Sequence, residues 1–191
     1  MKFSLETISI AGLEADDLVS MVIAWKLLPL PVHITGIDKD LLQLPRGSSV
    51  VEQSNHRSTI EHYVSKLPKA VQPSITEPHH VLLSLAILGD SSDSVPRLLP
   101  PRDFRLWDKI MSSETPFYAA HEIFGEAFLI NLYITVLPAP WCYDPVPTPL
   151  EVLDYVSQDK WYEVNHNQSI ENSLLVAINN IQKEVVDEPD W

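Results

Sequence analysis

Several things are scarce in this chain, and each scarcity excludes something. There is a single cysteine, Cys142, among 191 residues. That excludes an intrachain disulfide framework and a cysteine-rich zinc site. No apolar run approaches the ~18 residues that a membrane-spanning helix needs; the longest lies around Val81–Leu88. The N-terminal Met1-Lys2-Phe3-Ser4-Leu5-Glu6 lacks the apolar stretch and small-residue cleavage site of a secretory signal. No membrane is therefore expected, and the reading is a cytoplasmic protein. Positive charge is also in short supply: 13 Lys and Arg against 26 Asp and Glu give a formal net charge of −13. Taken alone, that argues against a nucleic-acid binder, because phosphate contacts need basic side chains. Bound divalent cations would cancel part of it locally.

What is present is apolar content sufficient for a core, 45%, in a length that suits one domain or a domain with an extension. From Glu14 to about Leu28 the apolar positions Leu18, Val22 and Trp25 fall on one helical face, and Pro29 and Pro31 close the segment. Val32–Thr35 reads as a short strand, Val50–Gln53 as an edge strand and Thr59–Leu67 as a short helix. A helix is expected from Thr76, as cap, through Leu88, stopped by Gly89. Residues 102–112 and 117–127 read as helices, and Asn131–Leu137 alternates as a strand does. Pro138–Pro149 reads as an extended crossing, Leu150–Ser157 and Ile170–Val186 as helices, and 187–191 as a frayed tail. Alternating strands and helices predict an α/β fold with a helical C-terminal extension.

The acidic residues fall in three compact groups: Glu14, Asp16 and Asp17; Asp38 and Asp40; Asp90 and Asp93. Two of the groups follow or open core elements at apolar-to-loop junctions, where an open α/β sheet places its site. An oxygen-only set suits Mg²⁺ or Mn²⁺ better than zinc, and its size suggests two ions. Two ions are the usual equipment for in-line displacement at phosphorus. Each group also has a plainer reading. Asp16-Asp17 in a first helical turn complements the helix dipole, and Gly89-Asp90-Ser91-Ser92-Asp93 is good turn chemistry. Other candidates are weaker: His79-His80 lacks companions at zinc-ligand spacing, Cys142 has no visible base, and Trp107, Trp141 and Trp161 are scattered as core tryptophans are.

Three blocks carry a resemblance: Gly12-Leu13-Glu14-Ala15-Asp16-Asp17; Thr35-Gly36-Ile37-Asp38-Lys39-Asp40-Leu41-Leu42-Gln43-Leu44; and Leu88-Gly89-Asp90-Ser91-Ser92-Asp93-Ser94-Val95-Pro96. In this order and approximate spacing they resemble successive motifs of the 5′-3′ exonuclease and flap endonuclease family, which includes phage exonucleases and the 5′-nuclease domain of bacterial DNA polymerase I. The resemblance covers roughly Ile10 to Ile110. It implies a partial PIN-like α/β core over residues 1–95, then a degenerate helix-hairpin-helix region and return strand over 96–137. A proline-rich segment and C-terminal helices would occupy 138–191. It further implies a divalent-metal-dependent nuclease acting on DNA with 5′ ends or flaps, in a bacterial or phage-infected cell. By resemblance, Glu14, Asp16, Asp17, Asp38 and Asp40 build the catalytic, tighter metal site, and Asp90 and Asp93 hold the second ion. Lys39, Arg97, Arg102, Arg105 and Lys109 are the implied DNA contacts.

Two departures from the family stand out. Family members begin with a strand ending in a metal-binding Asp and with a basic helical arch; neither is found before the first block. The expectation is the C-terminal part of a split or truncated enzyme, completed by a separately encoded N-terminal lobe. An inactive remnant serving as a DNA-processing assembly or binding module is the alternative, and an intact minimal nuclease using Glu6 is a third reading. After Pro96 the family has a glycine-rich turn whose N–H groups hold a DNA phosphate. Here Arg97–Arg105 contains no glycine and two prolines, so that cradle cannot form in the usual way.

Overall fold

The computed structural model describes residues 7–28, 32–34, 38–44, 52–53 and 59–186. Glu6, Pro29, Pro31, Thr35, Gly36 and the tail 187–191 lie outside the described residues. So do part of the first expected strand and part of the second acidic block.

The first helix, α1 (Ala15–Ala24), carries Asp16 and Asp17 in its opening turn, where the exposed N–H groups of the helix favour negative charge. It buries Met21, Ile23 and Ala24 and ends before the prolines predicted to close it. Lys26 already has a left-handed φ of 54°, which an α-helix cannot continue through. Strand β1 (His33–Ile34) pairs in parallel with β2 (Glu52–Gln53), His33 opposite Glu52 and Ile34 opposite Gln53. Thr59 caps α2 (Ile60–Ser65), its hydroxyl accepting from the His62 N–H at 3.2 Å.

The expected α/β, PIN-like core is not what the chain builds. Among the described residues 58% are helical and 3% are in strands, and the two-residue β1–β2 pair is the sheet they contain. So short a ladder has no face on which helices could layer. The centre is instead α3 (Pro78–Leu88), in which every residue from Val81 to Leu88 is buried. A helix apolar on all sides must be surrounded. Within it Ser84 is satisfied by the Val81 carbonyl and the Tyr63 hydroxyl, each at 2.8 Å. Glu77, not Thr76, sits at the cap position of α3.

After α4 (Phe104–Met111) and α5 (Pro116–Phe124), Gly125 adopts φ 59° and starts α6 (Glu126–Thr135). Asn131–Leu137 was expected as a strand, and this is the second correction. Phe128, Leu129, Asn131 and Leu132 are buried together, a helical spacing, whereas Ile134 is 48% exposed. The alternation of Leu132, Ile134 and Val136 was real, but the buried side of α6 is chosen by α3. Asn131 donates from its amide to the carbonyls of Ala86 and Pro96, both at 2.8 Å. Helix α6 packs on α3 and on α7 (Pro149–Ser157), and α8 (Gln168–Val186) follows. One apolar cluster takes in residues from Met21 to Leu174, including Trp107, Trp161 and the buried Cys142. The expected extended run across Pro138–Pro149 contains one 3-10 turn, Pro140–Cys142.

Candidate metal centre

The site is assembled from two turns that the core holds against each other. The first is the 3-10 turn Asp40–Gln43. Leu41, Leu42 and Leu44 are buried, so the turn is pinned from below while Asp40 remains at its rim. Gln43 locks it to the end of α6: its amide donates to the Thr135 carbonyl at 2.8 Å and accepts from the Leu137 N–H at 2.9 Å. The second turn follows α3. Gly89 ends that helix with φ 76°, and Asp90 and Val95 exchange backbone hydrogen bonds of 2.9 and 2.8 Å. The acidic residues Asp90 and Asp93 are thereby carried on a closed hairpin directly at the C-terminal end of the most buried helix.

Together the two turns bring Asp40, Asp90 and Asp93 into one group, with one carboxylate oxygen of each within 4.8 Å of the others. They line a cavity of about 280 Å³ together with Glu14, Asp16 and the end of α6 at Ile134 and Thr135. Five of the seven predicted metal-binding residues therefore face one space. Glu14 is the cap residue of α1 but its carboxylate makes no capping hydrogen bond. Asp16 accepts from the Asp17 N–H at 2.9 Å.

The other two point elsewhere. Asp17 is 2% exposed, and its carboxylate accepts from the Ala139 N–H at 3.1 Å. It ties α1 to the proline-rich crossing, and burial raises its pKa. Asp38 accepts from the Asp40 N–H at 3.1 Å, shaping the turn, and lines a neighbouring cavity. The expected DNA contacts divide as well. Lys39 lies inside the carboxylate group. Arg97, Arg102, Arg105 and Lys109 are exposed and line neither cavity; Arg97 donates to the Leu99 carbonyl and Arg105 pairs with Asp103.

Lys39 acts as the internal counter-cation. Its ammonium is 2.5 Å from Asp90 Oδ2, 3.7 Å from Asp93 Oδ2 and 3.9 Å from Asp40 Oδ1. It also donates to Ser92 Oγ at 2.8 Å, a residue 53 positions away in the chain. Ser92 in turn donates to Asp90 Oδ1 from its N–H at 3.0 Å and its hydroxyl at 2.6 Å. Burial works against the Asp90 charge, but the hydrogen bonds from Lys39 and Ser92 outweigh it and hold that carboxyl below its usual range. Lys39, though desolvated, is pushed up by its hydrogen bond to Asp90 and by the charges of Asp40, Asp90 and Asp93. Asp40 is opposite in sign: burial, aided by the charges of Asp38, Asp93 and Asp90, raises it to about 7 against the pull of Lys39.

That shift has a measurable consequence. Asp40 holds its proton more tightly folded than unfolded, where its ordinary value is 3.8. Its contribution to stability is therefore full below 3.8 and is lost as pH rises through about 7. In metal-free buffer, urea unfolding at pH 5 and pH 8 should show the wild-type protein losing more stability on going to pH 8 than Asp40→Asn does. An identical pH dependence in the two proteins would remove Asp40 as the cause.

Sequence reasoning missed Ser92 as the organiser of Asp90, although it stands inside the quoted Gly-Asp-Ser-Ser-Asp block. It also missed the wall that α6 supplies, because that segment was read as a strand. No family model, curated protein or solved structure matches this chain.

Proposed function

We propose that the Asp40–Asp90–Asp93 group is a divalent-cation site and that the protein is a metal-dependent hydrolase of DNA phosphodiesters. One observation carries the reading: carboxylates from two separate motifs, implicated together by their order in the sequence, converge to within 4.8 Å. The donor set fits such an ion. It is all oxygen, as hard cations require, and opposite ligands of a cation bound at about 2.1–2.6 Å stand about 4.2–5.2 Å apart. The Asp40 carboxyl is raised first by burial and only then by its neighbouring carboxylates, against the pull of Lys39, and a bound cation would favour its charged form. Asp40, Asp90 and Asp93 would hold one ion, and Glu14 and Asp16 are the remaining carboxylates available to a second. Such ions lower the pKa of bound water and offset charge developing at phosphorus. The chain's own part is positional. Ser92 fixes one oxygen of Asp90, Gln43 anchors the turn bearing Asp40, and Lys39 is placed to meet a substrate phosphate when an ion takes over its carboxylates. The nuclease assignment draws on the motif resemblance and not on a PIN-like fold.

A second reading has its own observation. Because Lys39 already neutralises Asp90, the group is also compatible with a non-catalytic assembly module that retains the motifs.

Calorimetric titration with Mn²⁺ tests the site. Binding should weaken at least about tenfold in Asp40→Asn and in Asp90→Asn, since even residues behind metal ligands are worth that much. Asp17→Asn should keep the affinity but lower stability by about 1–3 kcal/mol, because it disturbs a buried acceptor of a backbone N–H. Equal affinity in all four proteins would sink the site. Cleavage of 5′-flapped DNA in Mg²⁺, lost in Asp40→Asn, separates the hydrolase from the assembly module; ion binding without cleavage selects the latter.

A further inference from the structure

A second cavity, of about 600 Å³, adjoins the acidic one and shares Asp90 with it. Its lining differs in kind. Lys39, His62 and Lys66 contribute basic groups, and Tyr63, Leu67 and Leu85 contribute an aromatic and apolar wall. In a chain with only 13 Lys and Arg, two of them line this one space. Asp38 and Asp90 are its acidic groups; Asp90 is already neutralised by Lys39 at 2.5 Å. The Tyr63 hydroxyl is engaged with Ser84 at 2.8 Å, which holds the ring in place as a fixed surface. Lys66 is exposed at the C-terminal end of α2, and its charge is not spent on a carboxylate in any ion pair among the described residues. A mouth with one lysine not already spent on a carboxylate, Lys66, an apolar wall with one ring, and a volume within the range of small-ligand sites match a nucleotide, with its anionic and its flat apolar ends.

We propose that this cavity seats one nucleotide of the substrate strand beside the carboxylate group, with its phosphate at Lys66 and its base against Tyr63 and Leu67. The assignment rests on the phosphodiesterase reading for its role, but the pocket can be tested without any metal. Full-length protein in EDTA is titrated calorimetrically with 2′-deoxyadenosine 5′-monophosphate, with deoxyadenosine and with inorganic phosphate. The nucleotide should bind roughly tenfold more tightly than either fragment, each part supplying a contact the other lacks. Lys66→Ala should weaken nucleotide binding by roughly tenfold and Lys66→Glu by more, with Mn²⁺ titration of the same variants unchanged.

Absence of nucleotide binding to the wild-type protein, or undiminished binding in Lys66→Glu, overturns the pocket and leaves the cation site standing. Phosphate binding as tight as nucleotide binding overturns the base-binding part. Nucleotide binding retained in a protein that takes up no Mn²⁺ supports the pocket and counts instead against the cleavage reading.

Discussion

Replacing Gly89 by alanine should lower stability by about 3 kcal/mol or more, a fall in melting temperature of about 6–12 °C for a chain of this size. Two effects add. Gly89 holds φ at 76° and ψ at 167°, a combination essentially confined to glycine that costs another residue about 1–3 kcal/mol. A Cβ there would also stand 2.6 Å from the Arg97 N, 2.7 Å from the Val95 carbonyl oxygen and 2.8 Å from the Pro96 carbonyl carbon. All three are backbone atoms of the hairpin that returns over Gly89, so no side chain can swing away to make room. Relief would require the hairpin to lift, taking with it the Asp90–Val95 pairing and the Pro96 carbonyl to which Asn131 donates. Thermal and urea unfolding followed by circular dichroism check the stability. The Mn²⁺ affinity of whatever fraction folds should fall as well, because Asp90 is the next residue. A variant within about 1 kcal/mol of wild type would show that the close approach is not there.

Lys39→Met should tighten divalent-cation binding by at least about tenfold while destabilising the metal-free protein by about 3 kcal/mol. Both changes come from one geometry. The ammonium lies within 4 Å of all three carboxylates, so a bound ion must displace it or tolerate it. Two positive charges on the ion against one on the lysine, about 4 Å apart, repel by about 2 kcal/mol even at the dielectric constant of water. Removing the lysine removes that competition. In metal-free protein the same removal leaves Asp90, whose side chain is 8% exposed, as a largely buried carboxylate without its counter-ion, and breaking such a pair is costly. Added Mn²⁺ should restore the lost stability through its preference for the folded state. Calorimetry gives the affinity, and urea melts with EDTA or with Mn²⁺ give the stability. Weaker ion binding in Lys39→Met would mean that the lysine organises the carboxylates for the ion instead of competing with it.

The candidate site was more legible than the fold, for local reasons. Gly89-Asp90-Ser91-Ser92-Asp93 carries its own instructions: a residue without Cβ to end the helix, then side chains that bond to neighbouring N–H groups and close a turn. Asp38 likewise shapes the turn that presents Asp40. Such hydrogen bonds run over two or three residues, so the sequence shows them directly. Which carboxylates meet is another matter. Asp16 and Asp17 are adjacent and chemically identical, yet one lines the acidic cavity and the other is buried against the Ala139 N–H. The choice depends on where the proline-rich crossing packs on α1, a contact between residues 122 positions apart.

The fold was misread where a pattern admitted two periods. Leu132, Ile134 and Val136 alternate as a strand would, but a strand needs a ladder, and the described residues offer one pair of two-residue strands. With no sheet face to lie on, the segment finds its hydrogen bonds internally as α6 and turns Phe128 and Leu132 toward α3. The run Val81–Leu88, apolar but for Ser84, was read correctly as a helix. Its place at the centre follows from its composition, since no side of it tolerates water.

By itself, then, the sequence determined the positions of most helices, the two turns that present Asp40 and Asp90, and the all-carboxylate character of the acidic group. Those properties reside in spacing, in caps and in side-chain chemistry over a few residues. Tertiary structure alone decided that helices would pack on helices, that Asp17 would serve as a buried tie, that Lys39 would stand among the carboxylates, and that a cavity with basic groups would open beside an acidic one. Each of those depends on contacts between distant segments, whose energies come from burial and charge in a shared environment that no local pattern encodes.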